Sequence, residues 1–318
     1  MSDRKRFGTQ CGVAGARRLS LTQLEVLALL VVFVIAVLLW FWVTPRRLGS
    51  RELSPRLVCA SNLKGIGTSC KIYANESDGS WPIPAFDEGY IGNIDYRVQV
   101  GSGAGSVQAP SRSQPSQSGT GGANRLSVSR ALWMFVRSGD ITVKQFICPV
   151  SGDTEDGTEY FDHYYDFMSY KNLSYGYQVP FGPAATRPRD GMDNRMVLAA
   201  DKGPYVDGSV SSPPPGLKPI ASLGPGYATT PPGAWAQYNS PNHPGEGQNV
   251  LYADGHVEFR RVPTVGVDGD NIYTVALDNY NESSRVAGES PWMRSQPPFF
   301  PFIFDAPRLS STDSVIFP

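Results

Sequence analysis

The side chains best suited to chemistry cluster in one stretch, Asn239-Ser240-Pro241-Asn242-His243-Pro244-Gly245-Glu246-Gly247-Gln248, continuing Asn249-Val250-Leu251-Tyr252-Ala253-Asp254-Gly255-His256-Val257-Glu258-Phe259. Two imidazoles (His243, His256) and two carboxylates (Asp254, and Asp201 at the end of the apolar run from Met196 to Ala200) form a donor set for a divalent metal ion. A structural reading competes: Asp254 shapes a turn, and His243 fixes a loop by hydrogen bonds. Asp-Gly pairs recur in hairpin turns for conformational reasons alone, which favours the structural reading. His163, in Asp162-His163-Tyr164-Tyr165-Asp166, reads as an exposed loop residue. Asp268-Gly269-Asp270-Asn271 has calcium-type oxygens but not the spacing of an EF-hand. No GxSxG, P-loop, GxGxxG, HExxH or SxxK pattern is present, so the expectation is a protein without catalytic residues. The four cysteines are Cys11, Cys59, Cys70 and Cys148, with no CxxC pair. Three of them follow a hydrophobic segment. In an oxidising compartment they allow one disulfide, with Cys70–Cys148 the expected pair because Cys59 sits close to the membrane.

The elements that position these residues are legible in part. Asp254-Gly255 lies between two alternating runs and predicts a β-hairpin with a two-residue turn. That turn pairs Ala253 with His256, Tyr252 with Val257 and Val250 with Phe259. Val250, Tyr252, Val257 and Phe259 then form the apolar face. Upstream, Leu53, Leu57, Ala60, Leu63, Ile66, Cys70 and Tyr73 recur at threes and fours, predicting an amphipathic helix over 51–76, weakened by Gly65 and Gly67. Asn75 to Gly79 reads as its stop. A short helix over 127–138 is expected, capped by Ser127 or Ser129 and ended by Gly139, with Leu132, Phe135 and Val136 inward. Ile141 to Ile147 reads as a strand. The Gly/Ser/Gln/Pro-rich stretch 101–122 reads as a flexible loop, 209–232 as a second loop, and the Pro/Phe-rich tail from Gly288 remains unassigned.

Leu24 to Val43 is apolar throughout except for Glu25. Roughly 20 apolar residues, at about 1.5 Å each, cross a hydrocarbon core of about 30 Å. Trp40 and Trp42 mark its far end as an interfacial belt. Pro45 and Gly49 are expected to interrupt the helix there. Basic residues flank both sides (Arg4, Lys5, Arg6, Arg17, Arg18 before; Arg46, Arg47, Arg51, Arg56 after). The long following domain favours a cytoplasmic N-terminus and an extracytoplasmic body. Glu25 is either the interfacial end of a plain anchor or a carboxylate awaiting a cation from a neighbouring subunit. At the bilayer centre such a charge costs about 2.5–3.5 kcal/mol.

Arg17-Arg18-Leu19-Ser20 followed by Leu21-Thr22-Gln23-Leu24-Glu25 resembles the prepilin signal of type IV pilins and type II secretion pseudopilins. The segment Arg56-Leu57-Val58-Cys59-Ala60-Ser61-Asn62-Leu63-Lys64-Gly65-Ile66-Gly67 and the later His243…Asp254-Gly255 resemble the planctomycete-type pilin-like proteins that carry a C-terminal H-X9-DG motif. Here ten residues separate His243 from Asp254. The resemblance implies cleavage between Ser20 and Leu21, where the family usually has glycine and phenylalanine, and an assembly role for Glu25 as mature residue five. It implies an α+β fold: a long N-terminal transmembrane helix packed on an antiparallel β-sheet head, with long loop insertions. The expected organisation is a basic leader over 1–20, a transmembrane helix over 21–43 and a body over 44–318. The implied partners are the lipid bilayer of the inner membrane, other pilin-like subunits and, for processing, a prepilin peptidase. A net charge of −1 with 18% charged residues gives no footprint for nucleic acid. The function so implied is a structural subunit of an envelope fibre or secretion assembly. The alternative is a singly anchored domain that binds a ligand or divalent metal without assembling.

Overall fold

The computed structural model describes residues 22–85, 94–95, 112–113, 124–125, 127–181, 187–205, 220–223, 226–275, 282–288 and 312–317, without the side chains of 41–54, 94–95, 124–125, 221, 228 and 282–284. The loop expected at 101–122 therefore lies largely outside the described residues, as do most of the 209–232 loop and the tail from Gly288. Contacts divide the chain into two units, residues 1–52 and 53–318.

The first unit is dominated by the start of helix α1 (Gln23–Glu76). Thr22 and Glu25 form a reciprocal capping box. The Thr22 amide and Oγ donate to Glu25 Oε2 at 2.8 and 2.9 Å, and the Glu25 amide donates to Thr22 Oγ at 3.4 Å. This local pairing gives one oxygen of the carboxylate its hydrogen bonds within the chain. Among the described residues, only Gln23–Trp40 is long and apolar enough to cross a membrane, and its side chains are exposed. By length and composition, such a helix serves as an anchor or as a signal sequence. The backbone stays helical through Pro45 and Gly49, contrary to the interruption expected there. A proline removes one donor from a helix, and propagation on both sides of it outweighs that loss.

In the second unit, α1 buries a stripe of Cys59, Leu63, Ile66, Cys70 and Ala74. The inward face is rotated from the expected one: Leu57 is 70% exposed. Asp78 and Gly79 take positive φ, and the Gly79 amide closes the helix end on Ala74 O at 2.8 Å. A two-residue parallel pair joins β1 (Ile94–Asp95) and β2 (Asn124–Arg125). Helix α2 (Arg130–Ser138) buries Leu132, Phe135 and Val136 and ends on Gly139 at φ 83°, as its sequence predicts. Ser129 stands at its N-cap but donates to Asp166 Oδ1 at 3.0 Å instead of capping. The strand expected at 141–147 is instead a 3₁₀ turn, Val143–Phe146, which drives Phe146 into the core against Phe167.

Five strands form the main sheet: β3 (Tyr175–Gln178), β4 (Val197–Asp201), β5 (Gln248–Tyr252), β6 (Val257–Arg260) and β7 (Ile316–Phe317). Their order is β6-β5-β4-β3-β7, and every neighbouring pair is antiparallel. Strands β3, β4 and β5 are buried at every residue, so both faces of the sheet centre are covered. A short helix, α3 (Glu282–Ala287), lies near the C-terminal end. An apolar N-terminal helix and an antiparallel sheet, both expected, are thus both present.

The hairpin exists, one residue out of the expected register. Leu251 pairs with Val257, Val250 with Glu258 and Asn249 with Phe259. A type I′ turn needs two positive φ angles. Here Gly255 has φ 88° and Asp254 is not among the positive-φ residues. The loop is accordingly three residues, Ala253–Gly255, closed by Tyr252 N–H on His256 O at 3.0 Å. A one-residue slip exchanges faces. Asn249, Leu251, Val257 and Phe259 now share a face, and Leu251 on it packs against α1.

Gly67 makes that approach workable: a Cβ there would stand 2.7 Å from Leu251 Cδ1. The glycine that weakens the helix in sequence is the one that lets the sheet come close. Gly67→Val should destabilise the protein by about 1–3 kcal/mol through overpacking, whereas Thr68→Val on the exposed side of the same helix should stay within about 0.5 kcal/mol. Denaturant midpoints of the two variants check this.

Candidate functional site

Four side chains from four separate pieces of chain meet in the interior: Cys59 from α1, Cys148 just after the 3₁₀ turn, Asp201 at the end of β4, and His243 from the loop before β5. One ligand atom from each lies within 4.8 Å of the others, and all four residues are buried. Cys59 Sγ and Cys148 Sγ are 2.7 Å apart. His243 Nε2 stands 3.3 Å from Asp201 Oδ2 and 4.0 Å from Cys148 Sγ.

Local hydrogen bonds explain why these residues arrive together. Asn62 sits one turn beyond Cys59 and donates to Ile147 O and Tyr175 OH, both at 3.1 Å; this ties α1 to the Cys148 segment and to β3. Asn242 donates to Ser174 O at 2.7 Å and to Asp201 Oδ1 at 3.3 Å. Asn249 gives Asp201 Oδ2 its amide at 2.6 Å and its side-chain N–H at 3.0 Å. Asn239 holds Gly245 O and Arg261 O, and the Gln248 amide side chain holds Ser240 N and Val262 O. The polar residues of the Asn239–Asn249 loop thus spend their side chains on fixing His243. A buried carboxylate and imidazole are tolerated because each has partners.

The charges shift accordingly. Burial alone would push the His243 imidazole down, but the Asp201 carboxylate and the Cys148 sulfur outweigh it and raise the ring to about 9. The Cys59 thiol, and then the His243 ring, lower Cys148 to about 6. Cys59 moves the other way: its bond to Cys148 and its burial raise it.

This arrangement is not a nucleophile relay. A relay puts the thiol on one ring nitrogen and the orienting carboxylate on the other. Here Cys148, Asp201 and Asn249 all face Nε2, and the His243 residue is only 1% exposed. Convergence of sulfur, nitrogen and oxygen on one point is what a metal ion uses, and two thiols, an imidazole and a carboxylate are donors that zinc accepts. The group could hold a metal.

Of the four residues expected as metal donors, His243 and Asp201 come together, while Asp254 and His256 do not join them. Those two sit exposed at the hairpin turn, bonded to each other at 2.5 Å. The five residues of β5 separate the turn from His243 by roughly 17 Å at about 3.3 Å per residue. The expected Cys70–Cys148 pairing is also corrected: Cys148 faces Cys59, and Cys70 is buried apart from this group. Proximity to the membrane in sequence did not remove Cys59 from the body, because it lies on the same inward stripe as Leu63 and Ile66. His163 is exposed, stacked on Tyr160. Asp268 pairs with Arg195, and Asp270 accepts from Ser314 N–H at 2.7 Å, so both carboxylates are engaged within the fold.

The far end of the same motif also grips α1. Lys64 Nζ donates to Gly255 O at 2.7 Å. Arg56 pairs with Glu246 and lies 4.3 Å over the Phe259 ring, whose edge meets His243. The segment from His243 to Gly255 therefore holds the helix at both ends of β5.

No family model, curated protein or solved structure matches this chain.

The His243 contribution to stability should be complete below its ordinary 6.5 and be lost as pH rises through about 9. That of Cys148 is complete above its ordinary 9 and lost as pH falls through about 6. For the reduced, chelator-treated protein, the melting temperature of the native chain should exceed that of His243→Gln by several degrees at pH 6.5, and the gap should shrink towards pH 10. A constant gap contradicts the assignment.

Proposed function

We propose that this chain is a membrane-anchored, non-enzymatic structural subunit of pilin or pseudopilin type, with its body on the outer side of the inner membrane. The observation that supports this most is the dual character of α1. Its Gln23–Trp40 stretch is apolar and exposed, with an acidic residue in its first turn, and its later turns bury a stripe against an antiparallel sheet. One helix would thus serve as both anchor and spine. In this reading Ser20-Leu21 is the processing point, the partners are the bilayer, a prepilin peptidase and other pilin-like subunits, and Glu25 exchanges its capping bonds to Thr22 for a neighbour's freed N-terminal amine. An ion pair in lipid stabilises an assembly only when both charges are satisfied, which is why processing and assembly are coupled here.

A second reading is an anchored domain that holds a divalent metal without assembling. The convergence of Cys59, Cys148, Asp201 and His243 favours it.

Mass spectrometry of the native N-terminus separates the two. The subunit reading expects a chain beginning at Leu21, N-methylated, and a loss of at least about tenfold in cross-linked multimers for Glu25→Leu. A chain beginning at Met1 or Ser2, with multimers indifferent to Glu25, contradicts it.

A further inference from the structure

We propose that Cys59 and Cys148 are joined by a disulfide in the mature protein, a covalent staple between the spine helix and the body. The inference rests on the extracytoplasmic placement proposed above for its oxidising compartment, and on the geometry of the site for its pairing. The two sulfurs already touch at 2.7 Å, and they belong to elements that Asn62 holds in register. The sulfurs need to close by only about 0.7 Å to reach a bond length of about 2.05 Å.

Geometry argues for the bond over a metal. Two thiolates on one tetrahedral zinc, each at about 2.3 Å, stand about 3.8 Å apart, whereas these sulfurs are 2.7 Å apart. Asp201 is also a poor metal ligand as it stands: Oδ2 accepts two N–H donors from Asn249, and Oδ1 accepts one from Asn242.

The chemistry is ordinary thiol–disulfide exchange with an envelope dithiol oxidant in its disulfide form. Cys148 gives up its proton, and the resulting thiolate attacks one sulfur of the oxidant and expels the other as a thiolate. Cys59 gives up its proton and attacks Cys148 Sγ of the mixed disulfide, and the oxidant leaves fully reduced. Two protons and two electrons leave the pair of cysteines. Both sulfurs are buried once the body closes, so the exchange belongs to folding.

The test is peptide mapping of the full chain, purified in detergent without reductant, acid-quenched and alkylated under denaturing conditions. The expected result is a Cys59–Cys148 linked peptide, with Cys70 alkylated. Reduction followed by re-measurement should lower the melting temperature by roughly 10 °C, as the closure of a loop with a sequence separation of 89 predicts. Alkylation of both Cys59 and Cys148 with one equivalent of bound zinc overturns the proposal in favour of the metal reading. Alkylation of both without metal calls for the same mapping after refolding with oxidised glutathione. If the linked peptide then appears, the pairing stands and the compartment is wrong; if it does not, the pairing itself is overturned.

Discussion

The body of this protein depends on an imidazole whose one ring nitrogen faces a carboxylate and a thiol with water excluded. His243 cannot be placed there alone. Asp201 must be held by Asn242 and Asn249, Cys148 must be turned inward by the 3₁₀ turn before it, and Cys59 must arrive on α1. Four distant parts of the chain are therefore mutually conditional. Removing one partner of such a buried network leaves the others with unmet charge, at a cost well above that of a surface ion pair.

The His243…Asp254-Gly255 motif gains a physical role from this. Its histidine meets the helix-borne Cys59 through Cys148, and its glycine carbonyl receives Lys64 from a later turn of the same helix. Between them, β5 lies against α1 at the distance Gly67 permits. The number of residues between histidine and turn follows from the strand and loop that must fit between two anchor points on one helix. Asp254 contributes through the turn, where it accepts from the His256 backbone N–H at 2.9 Å, and it does not contribute a ligand to the interior.

What the sequence disclosed and what it hid have separate causes. The apolar span, the stop of α1 before Gly79 and α2 with its Gly139 cap are written in local periodicity and turn chemistry, which need no tertiary information; Met196 to Ala200 showed itself only as an apolar run, and packing makes it a strand. The hairpin was visible but its register was not, because the three-residue and two-residue loops share the same Asp-Gly letters, and the sign of the Asp254 φ, which helps to separate them, is not written in those letters. The cluster was half visible. His243 and Asp201 stood out as chemical types, but Cys59 and Cys148 are hydrophobic-looking members of apolar stretches, and only long-range packing brings them together. Asn242 and Asn249 carried a signal: an amide in a buried strand and another beside a histidine are residues that need partners. The Thr22-x-x-Glu25 spacing is itself a capping box, a local pattern overshadowed by the membrane context of the glutamate.

The spine helix, the sheet and the buried cluster form one interdependent unit. The measurement that addresses this most directly is amide hydrogen exchange on the full chain, comparing the native protein with His243→Gln. The account predicts that protection falls together in residues 59–70 of α1, in 146–148 and in 240–249, because releasing the imidazole frees the helix as well as the loop. Loss of protection confined to 240–249, with α1 as protected as before, would contradict it.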